Sequence, residues 1–185
     1  ELAAVVHEII QQIAPSTHFS YPEAGPLYHK LAASLAVSPD NLLLAAGSDG
    51  VIRSVFEAYV GPGDVVVHSS PTFAMYPVYA AMYGARNHPV NYRASSVGPY
   101  LDVEELTSII AGSSPRLLCL PNPDSPTGTM LSEPELRAVI EAAGHAGALV
   151  LVDEAYYPFS AYTVVPWITE YPHLVVARST GKAWG

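Results

Sequence analysis

Lys182 stands in Arg178-Ser179-Thr180-Gly181-Lys182-Ala183-Trp184, just after the short apolar run Leu174-Val175-Val176-Ala177. It is one of two lysines; the other, Lys30, sits in an ordinary amphipathic run. A lysine at the carboxyl end of a buried strand can be desolvated, which favours the neutral amine and frees its lone pair for attack on an aldehyde. A solvated loop lysine would be spelled the same way. Asp153 closes the apolar run Ala148–Val152, where a buried carboxylate needs a partner. A cationic ring nitrogen would serve, and so would Arg178. Gly47-Ser48-Asp49-Gly50 sets small residues at the start of a helical pattern, where free N–H groups and the helix dipole attract an anion such as phosphate; the same letters also make an ordinary N-cap. Phe73 could lie flat on an aromatic ligand or belong to the core. Tyr156 could bond a phenolic oxygen or be a satisfied buried tyrosine. Asn122-Pro123-Asp124-Ser125-Pro126-Thr127-Gly128 is turn chemistry first and a ligand loop second.

The composition narrows the chemistry. Half of the 185 residues are hydrophobic and 14% are charged, which suits one folded domain with a sizeable core. The net charge of −9 offers no basic stripe for a nucleic-acid backbone. No apolar run approaches the ~20 residues of a membrane span, and the opening Glu1-Leu2-Ala3-Ala4 lacks the basic flank of a signal peptide. The single cysteine, Cys119, cannot form an internal disulfide, so a cytoplasmic location is expected. Seven histidines lie without metal-ligand spacing, and no metal site is expected.

The elements that would position these residues alternate. Helices are expected over 2–13, 27–37, 51–60, from after Tyr76 to about 83, over 103–110 and from the Ser132 cap to about 146, and strands over 41–46, 64–68, 88–91, 116–120, 148–152 and 173–177. Asp102 is read as an N-cap, and Ser132 with Glu135 as a capping box. A mostly polar connection is expected between Tyr156 and His173. Strands alternating with helices imply an α/β fold, a three-layer α/β/α arrangement around a mostly parallel sheet. Chemistry in such sheets collects beyond the carboxyl ends of the strands. Gly47–Gly50, Pro71–Tyr76, Asn122–Gly128, Asp153–Tyr156 and Ser179–Lys182 would all fall there, on one rim. A phosphate site, a ring stacker, a buried carboxylate and a lysine nucleophile have one economical ligand, pyridoxal 5'-phosphate, whose ring acts as an electron sink. No G-x-G-x-x-G follows the first strand, which disfavours a dinucleotide enzyme.

With these residues in place, the sequence resembles the large domain of fold-type I pyridoxal-phosphate aminotransferases, and is most similar to their histidinol-phosphate aminotransferase branch. The motifs are Tyr21-Pro22, Gly47-Ser48-Asp49, Pro62-Gly63-Asp64, Pro71-Thr72-Phe73-Ala74-Met75-Tyr76, Asn122-Pro123 with Pro126-Thr127-Gly128, Asp153-Glu154-Ala155-Tyr156, and Arg178-Ser179 with Lys182-Ala183. The resemblance implies that Lys182 forms the internal aldimine and carries the proton between the substrate α-carbon and the cofactor. It implies that Asp153 keeps the pyridine nitrogen protonated, Phe73 stacks on the ring, and Tyr156 bonds its 3′ oxygen with Asn122 or Ser125. Ser48, Asp49, Gly50 and Ser179 would hold the phosphate, and Tyr21 would reach the phosphate of a neighbouring subunit in a homodimer. The implied reaction moves an amino group from a small-molecule donor, an amino acid or amino alcohol phosphate, to a 2-oxo acid acceptor.

The sequence departs from the family pattern in three places. Ser125 replaces the asparagine before Pro-Thr-Gly, and Gly181 replaces the serine before the lysine. The sequence also ends at Gly185, before the family's phosphate-binding arginine and its small domain, so residues 1–185 are read as a truncated large domain. A decarboxylase or a carbon–sulfur lyase of the same fold would use the same lysine and aspartate. A non-catalytic domain is the reading from a different class.

Overall fold

The computed structural model describes residues 2–182. Six α-helices and five strands are found among them: α1 Leu2–Gln11, α2 Gly25–Leu35, α3 Gly47–Tyr59, β1 Val65–Ser70, α4 Met75–Met82, β2 Arg86–Asn91, α5 Val103–Ser113, β3 Leu117–Pro121, α6 Glu133–His145, β4 Leu149–Asp153 and β5 Leu174–Ala177. The chain divides into two compact units. One runs from Leu44 to Ser179, and the other holds the residues before Leu44 together with those from Thr180 onward. No helix among the described residues is long and apolar enough to cross a membrane.

In the smaller unit, α1 and α2 form where the apolar periodicity places them. α2 starts two residues early because Pro26 sits in its first turn, where a missing N–H costs nothing. It stops where Ala36 turns left-handed (φ 55°) and returns its N–H to the helix. The strand expected over 41–46 is absent. Asn41 instead closes a 3₁₀ turn, Pro39–Asn41, whose Asp40 amide donates to Ser38 Oγ. Leu42 is extended, yet 42–45 carries no ladder, and Leu43 is 60% exposed. An extended backbone becomes a strand only when a neighbour takes its hydrogen bonds. Among the described residues none does.

The larger unit is built on a parallel sheet in the order β2-β1-β3-β4-β5. Its central strands are buried on both faces, and successive side chains feed opposite cores. Leu117 and Cys119 of β3 point into one cluster with Ile52 and Phe56 of α3 and Tyr76 and Tyr79 of α4. Leu118 and Leu120 point into the other, with Leu106 and Ile110 of α5 and Leu136 and Ile140 of α6. Helices therefore cover both faces, and the three-layer α/β/α architecture holds as read. Local signals hold as well: Asp102 accepts the Glu105 amide at the start of α5, and Glu135 closes the capping box of α6 onto Ser132.

The connection from β4 to β5 differs from its expected polar character. Val164, Trp167 and Tyr171 are buried in the α5/α6 core, and the Arg137 guanidinium lies 4.1 Å over the Trp167 ring. Polar letters in this stretch alternate with large apolar ones at short 3₁₀ turns, a spacing neither helix nor strand periodicity detects. Register then lines up the carboxyl ends: Pro121 pairs with Asp153, and Asp153 with Ala177. The residues that follow β3, β4 and β5 thus leave the sheet from one row.

Leu118 is 1% exposed at the centre of the larger core. Leu118→Ala is expected to destabilise the protein by about 3 kcal/mol through lost burial and a residual cavity, read as a lower urea midpoint with an unchanged slope.

Candidate functional site

At the end of β4 the Asp153 side chain is 6% exposed. Its Oδ2 accepts the Tyr76 hydroxyl at 2.8 Å and its Oδ1 accepts the Ala155 amide at 2.9 Å. Tyr76 is fully buried at the start of α4. Burial, and then the Asp153 charge beside it, push its phenol well above the ordinary tyrosine range, so it acts as a donor at neutral pH. Half-buried Phe73, one turn earlier, packs edge-on against Tyr76 with ring centroids 5.6 Å apart. The structure therefore brings Phe73, Tyr76 and Asp153 together. Sequence reasoning had named the first and last without the hydroxyl between them.

Arg178 was one of two cations open to Asp153, and it goes elsewhere. Its Nε and Nη2 reach Glu154 Oε2 at 3.0 and 2.9 Å, its Nη2 also donates to Thr163 Oγ1, and its guanidinium lies 3.8 Å over Tyr157. Glu154 is 2% exposed and further accepts the Thr163 hydroxyl and the Val164 amide. A buried glutamate satisfied this fully fixes the strand end at which Ser179, half-buried, leaves the sheet.

Gly47–Gly50 does not follow a strand. It is itself the first turn of α3, which opens at Gly47 (φ +71°) without a side-chain cap from Ala46. The Gly47 and Gly50 amides turn back to the Ala45 and Ala46 carbonyls, which leaves the Ser48 and Asp49 amides as the donors of this turn that an anion would meet. A Cβ on Gly50 would come within 3.1 Å of the Ala45 Cβ, so the chain passes close here because residue 50 is glycine. Ser48 is half-buried and Asp49 exposed. Both Asp49 carboxylate oxygens lie 3.0 Å from the Tyr79 hydroxyl, whose pKa is raised by burial and by this bond. That tie holds the Asp49 charge to α4.

After β3, Asn122 is 4% exposed; its amide donates to the Asp153 carbonyl and its side-chain oxygen accepts the Leu131 amide. Asp124 draws the loop inward, accepting the Thr127 hydroxyl and amide, while its own carbonyl takes the Gly128 amide. Ser125 stands half-buried at the head of this turn. Burial raises the Asp124 carboxyl above the usual carboxylate range, and burial and the Asp124 charge push Tyr92 up to about 12. The sequence did not single out either residue, because Asp124 lay inside a turn motif and Tyr92 follows β2 with no spacing that marks it.

Tyr156 follows on, half-buried, with its ring 6.5 Å from that of Phe159. Tyr21 and Lys182 belong to the smaller unit. Tyr21 is fully exposed between Phe19 and α2. Lys182 lies in a turn three residues past Ser179 and is exposed. Ala183 of the quoted motif lies outside the described residues.

An uncapped helix start, an aromatic face and a buried carboxylate share the larger unit. That set suits a flat, anionic heterocycle with a basic ring nitrogen: amides for the anion, Phe73 for the face, Asp153 for the nitrogen.

The family described as aminotransferase class I and II matches residues 2–185. A histidinol-phosphate aminotransferase of Caldanaerobacter subterraneus subsp. tengcongensis is 35% identical over 188 residues, covering 100% of this chain and 52% of that protein. The chain spans about half the length of the curated relatives it matches. Among solved structures, the histidinol-phosphate aminotransferase of Sinorhizobium meliloti, determined with pyridoxal-5'-phosphate, superposes with a TM-score of 0.79 at 27% identity, over 90% of this chain and 45% of that one. Cystalysin from Treponema denticola gives 0.80 at 16% identity, over 99% of this chain and 49% of that one, a likeness of fold alone.

Two outcomes follow from the charges. Arg178→Ala strands Glu154 in the interior and is expected to cost about 3 kcal/mol of stability, measured by urea unfolding. Asp124 has a folded pKa above its unfolded one, so between the two the folded state holds the extra proton and stability falls as pH rises. The stability of the wild type relative to Asp124→Asn should therefore decline as pH climbs from about 4 through the raised value and level off above it. Urea midpoints of both proteins across pH 4 to 8 check this.

Proposed function

Because the chain belongs to the aminotransferase class I and II family, we propose that it binds pyridoxal 5'-phosphate and serves transamination of an amino acid or amino alcohol phosphate, with a 2-oxo acid as acceptor. The observation that carries the reading is Asp153, a carboxylate 6% exposed at the end of β4 that the Tyr76 hydroxyl and the Ala155 amide hold in place. Relatives 30–35% identical that are called histidinol-phosphate aminotransferases support the choice of reaction and substrate class.

When bound, pyridoxal phosphate supplies an aldehyde for an amine and a ring that withdraws electrons from the substrate α-carbon. The residues of this chain do the rest. Lys182 is the amine for that aldehyde and afterwards the base that moves the α-proton. Asp153 keeps a proton on the ring nitrogen, which it can do only as a carboxylate. Phe73 covers one face of the ring. The Ser48 and Asp49 amides at the start of α3, where Gly50 lets the chain pass close, would take the phosphate with Ser179, and Tyr156 with Asn122 or Ser125 would take the 3′ oxygen. Asn122 does so through its amide group, since its oxygen is used by Leu131. A cytoplasmic homodimer, with Tyr21 reaching the phosphate of the second copy, completes the proposal.

Incubation with pyridoxal phosphate, borohydride reduction and peptide mapping test it. The label is expected on Lys182 and is expected to vanish in Lys182→Ala. A label that persists in that variant, or that maps to Lys30, contradicts the assignment. Turnover with histidinol phosphate and 2-oxoglutarate then tests the reaction separately.

A further inference from the structure

We infer that Tyr76 is a positioning residue for Asp153: its hydroxyl, donated to Oδ2 at 2.8 Å, holds the carboxylate ionised and fixed in one orientation toward the ring nitrogen of the cofactor. The inference rests on the cofactor reading for its purpose, and on the hydrogen bond alone for its physics.

Three features carry it. Tyr76 is 0% exposed, so its hydroxyl cannot exchange this acceptor for water without the core opening. The bond joins residues 77 apart in sequence, and links α4 to the end of β4. It also acts with a second tether, since Oδ1 accepts the Ala155 amide at 2.9 Å. These two donors, one to each oxygen, define the plane of the carboxylate and oppose its rotation about χ2. A hydrogen bond to the charged form favours that form.

Besides burial and Asp153 itself, the nearby Asp124 carboxyl bears on the Tyr76 phenol and raises it further. Cys119 of β3 lies on the same face, its thiol pushed well up by burial and by Asp153, and so neutral. Phe73 contributes only its ring edge. Arg178 is engaged by Glu154. Tyr79, one turn along α4, turns to Asp49 instead. Tyr76→Phe therefore deletes one hydroxyl and keeps the ring against Phe73.

The test uses ¹³C-aspartate NMR on the protein without cofactor, with the Asp153 signal identified by its loss in Asp153→Asn. In Tyr76→Phe the carboxyl is expected to titrate about one unit higher than in the wild type. In Tyr79→Phe, which removes a hydroxyl from the same helix, it is expected not to move. An Asp153 titration identical in the wild type and a folded Tyr76→Phe overturns the inference. If Tyr76→Phe does not fold, exchange of the Tyr76 hydroxyl proton in the wild type decides: slow exchange supports the bond and solvent-fast exchange overturns it. Binding of pyridoxal phosphate to the wild type, followed by equilibrium dialysis, is scored apart. Absent binding sinks the cofactor reading and, with it, the purpose given to Tyr76, whereas the NMR result alone judges the tether.

Discussion

A carboxylate buried at the end of a central strand is the constraint on which this structure turns. Asp153 ends a buried apolar strand of the sheet, where a carboxylate needs donors, and two of them meet it there. Those donors come from different levels of structure. The Ala155 amide is local, made available by the sharp exit of the chain from β4. The Tyr76 hydroxyl is distant, and reaches the site only if α4 is packed on the sheet in the observed register. Holding that charge therefore requires the fold, and any cation recruited to it meets a carboxylate already in place.

Helix α4 ties the parts of the site together. Phe73, Tyr76 and Tyr79 succeed one another at intervals of three, a spacing that keeps them on neighbouring faces of the same short segment. The first offers a ring, the second holds Asp153, and the third holds Asp49 at the first turn of α3. One helix thus sets the distance between a buried carboxylate and the first turn of α3. On the other side of β4, the Glu154–Arg178 pair performs the matching task, fixing the end of β5 from which Ser179 departs. Adjacent acidic residues, Asp153 and Glu154, point into different surroundings and take different partners, as alternation along an extended chain requires.

How much of this the sequence discloses depends on how local each cause is. The Asp102 cap and the Ser132–Glu135 capping box are decided within four residues, and both stand as read. The parallel strands announce themselves as apolar runs because they are buried on both faces. The expected strand over 41–46 carried the right letters, yet a strand is a relation between two segments and the second is not among the described residues. The rim position of Gly47–Gly50 went with it, although its place at a helix start did not. The choice of Arg178 between Asp153 and Glu154, and the hydroxyl of Tyr76, are settled by packing between elements far apart in sequence, which no spacing rule encodes. Val164 and Trp167 were hidden for a simpler reason: 3₁₀ turns leave no lasting period.

The most direct measurement is the affinity of the protein for pyridoxal phosphate compared with that for its analogue carrying carbon in place of the ring nitrogen. The two ligands share the phosphate, the aldehyde and the ring face, and differ only at the atom assigned to Asp153. The account predicts at least about tenfold tighter binding of pyridoxal phosphate, the worth of one charge-assisted hydrogen bond, with the preference lost in Asp153→Ala. Equal affinities in the wild type would contradict it, and would leave the buried carboxylate as a device of the fold alone.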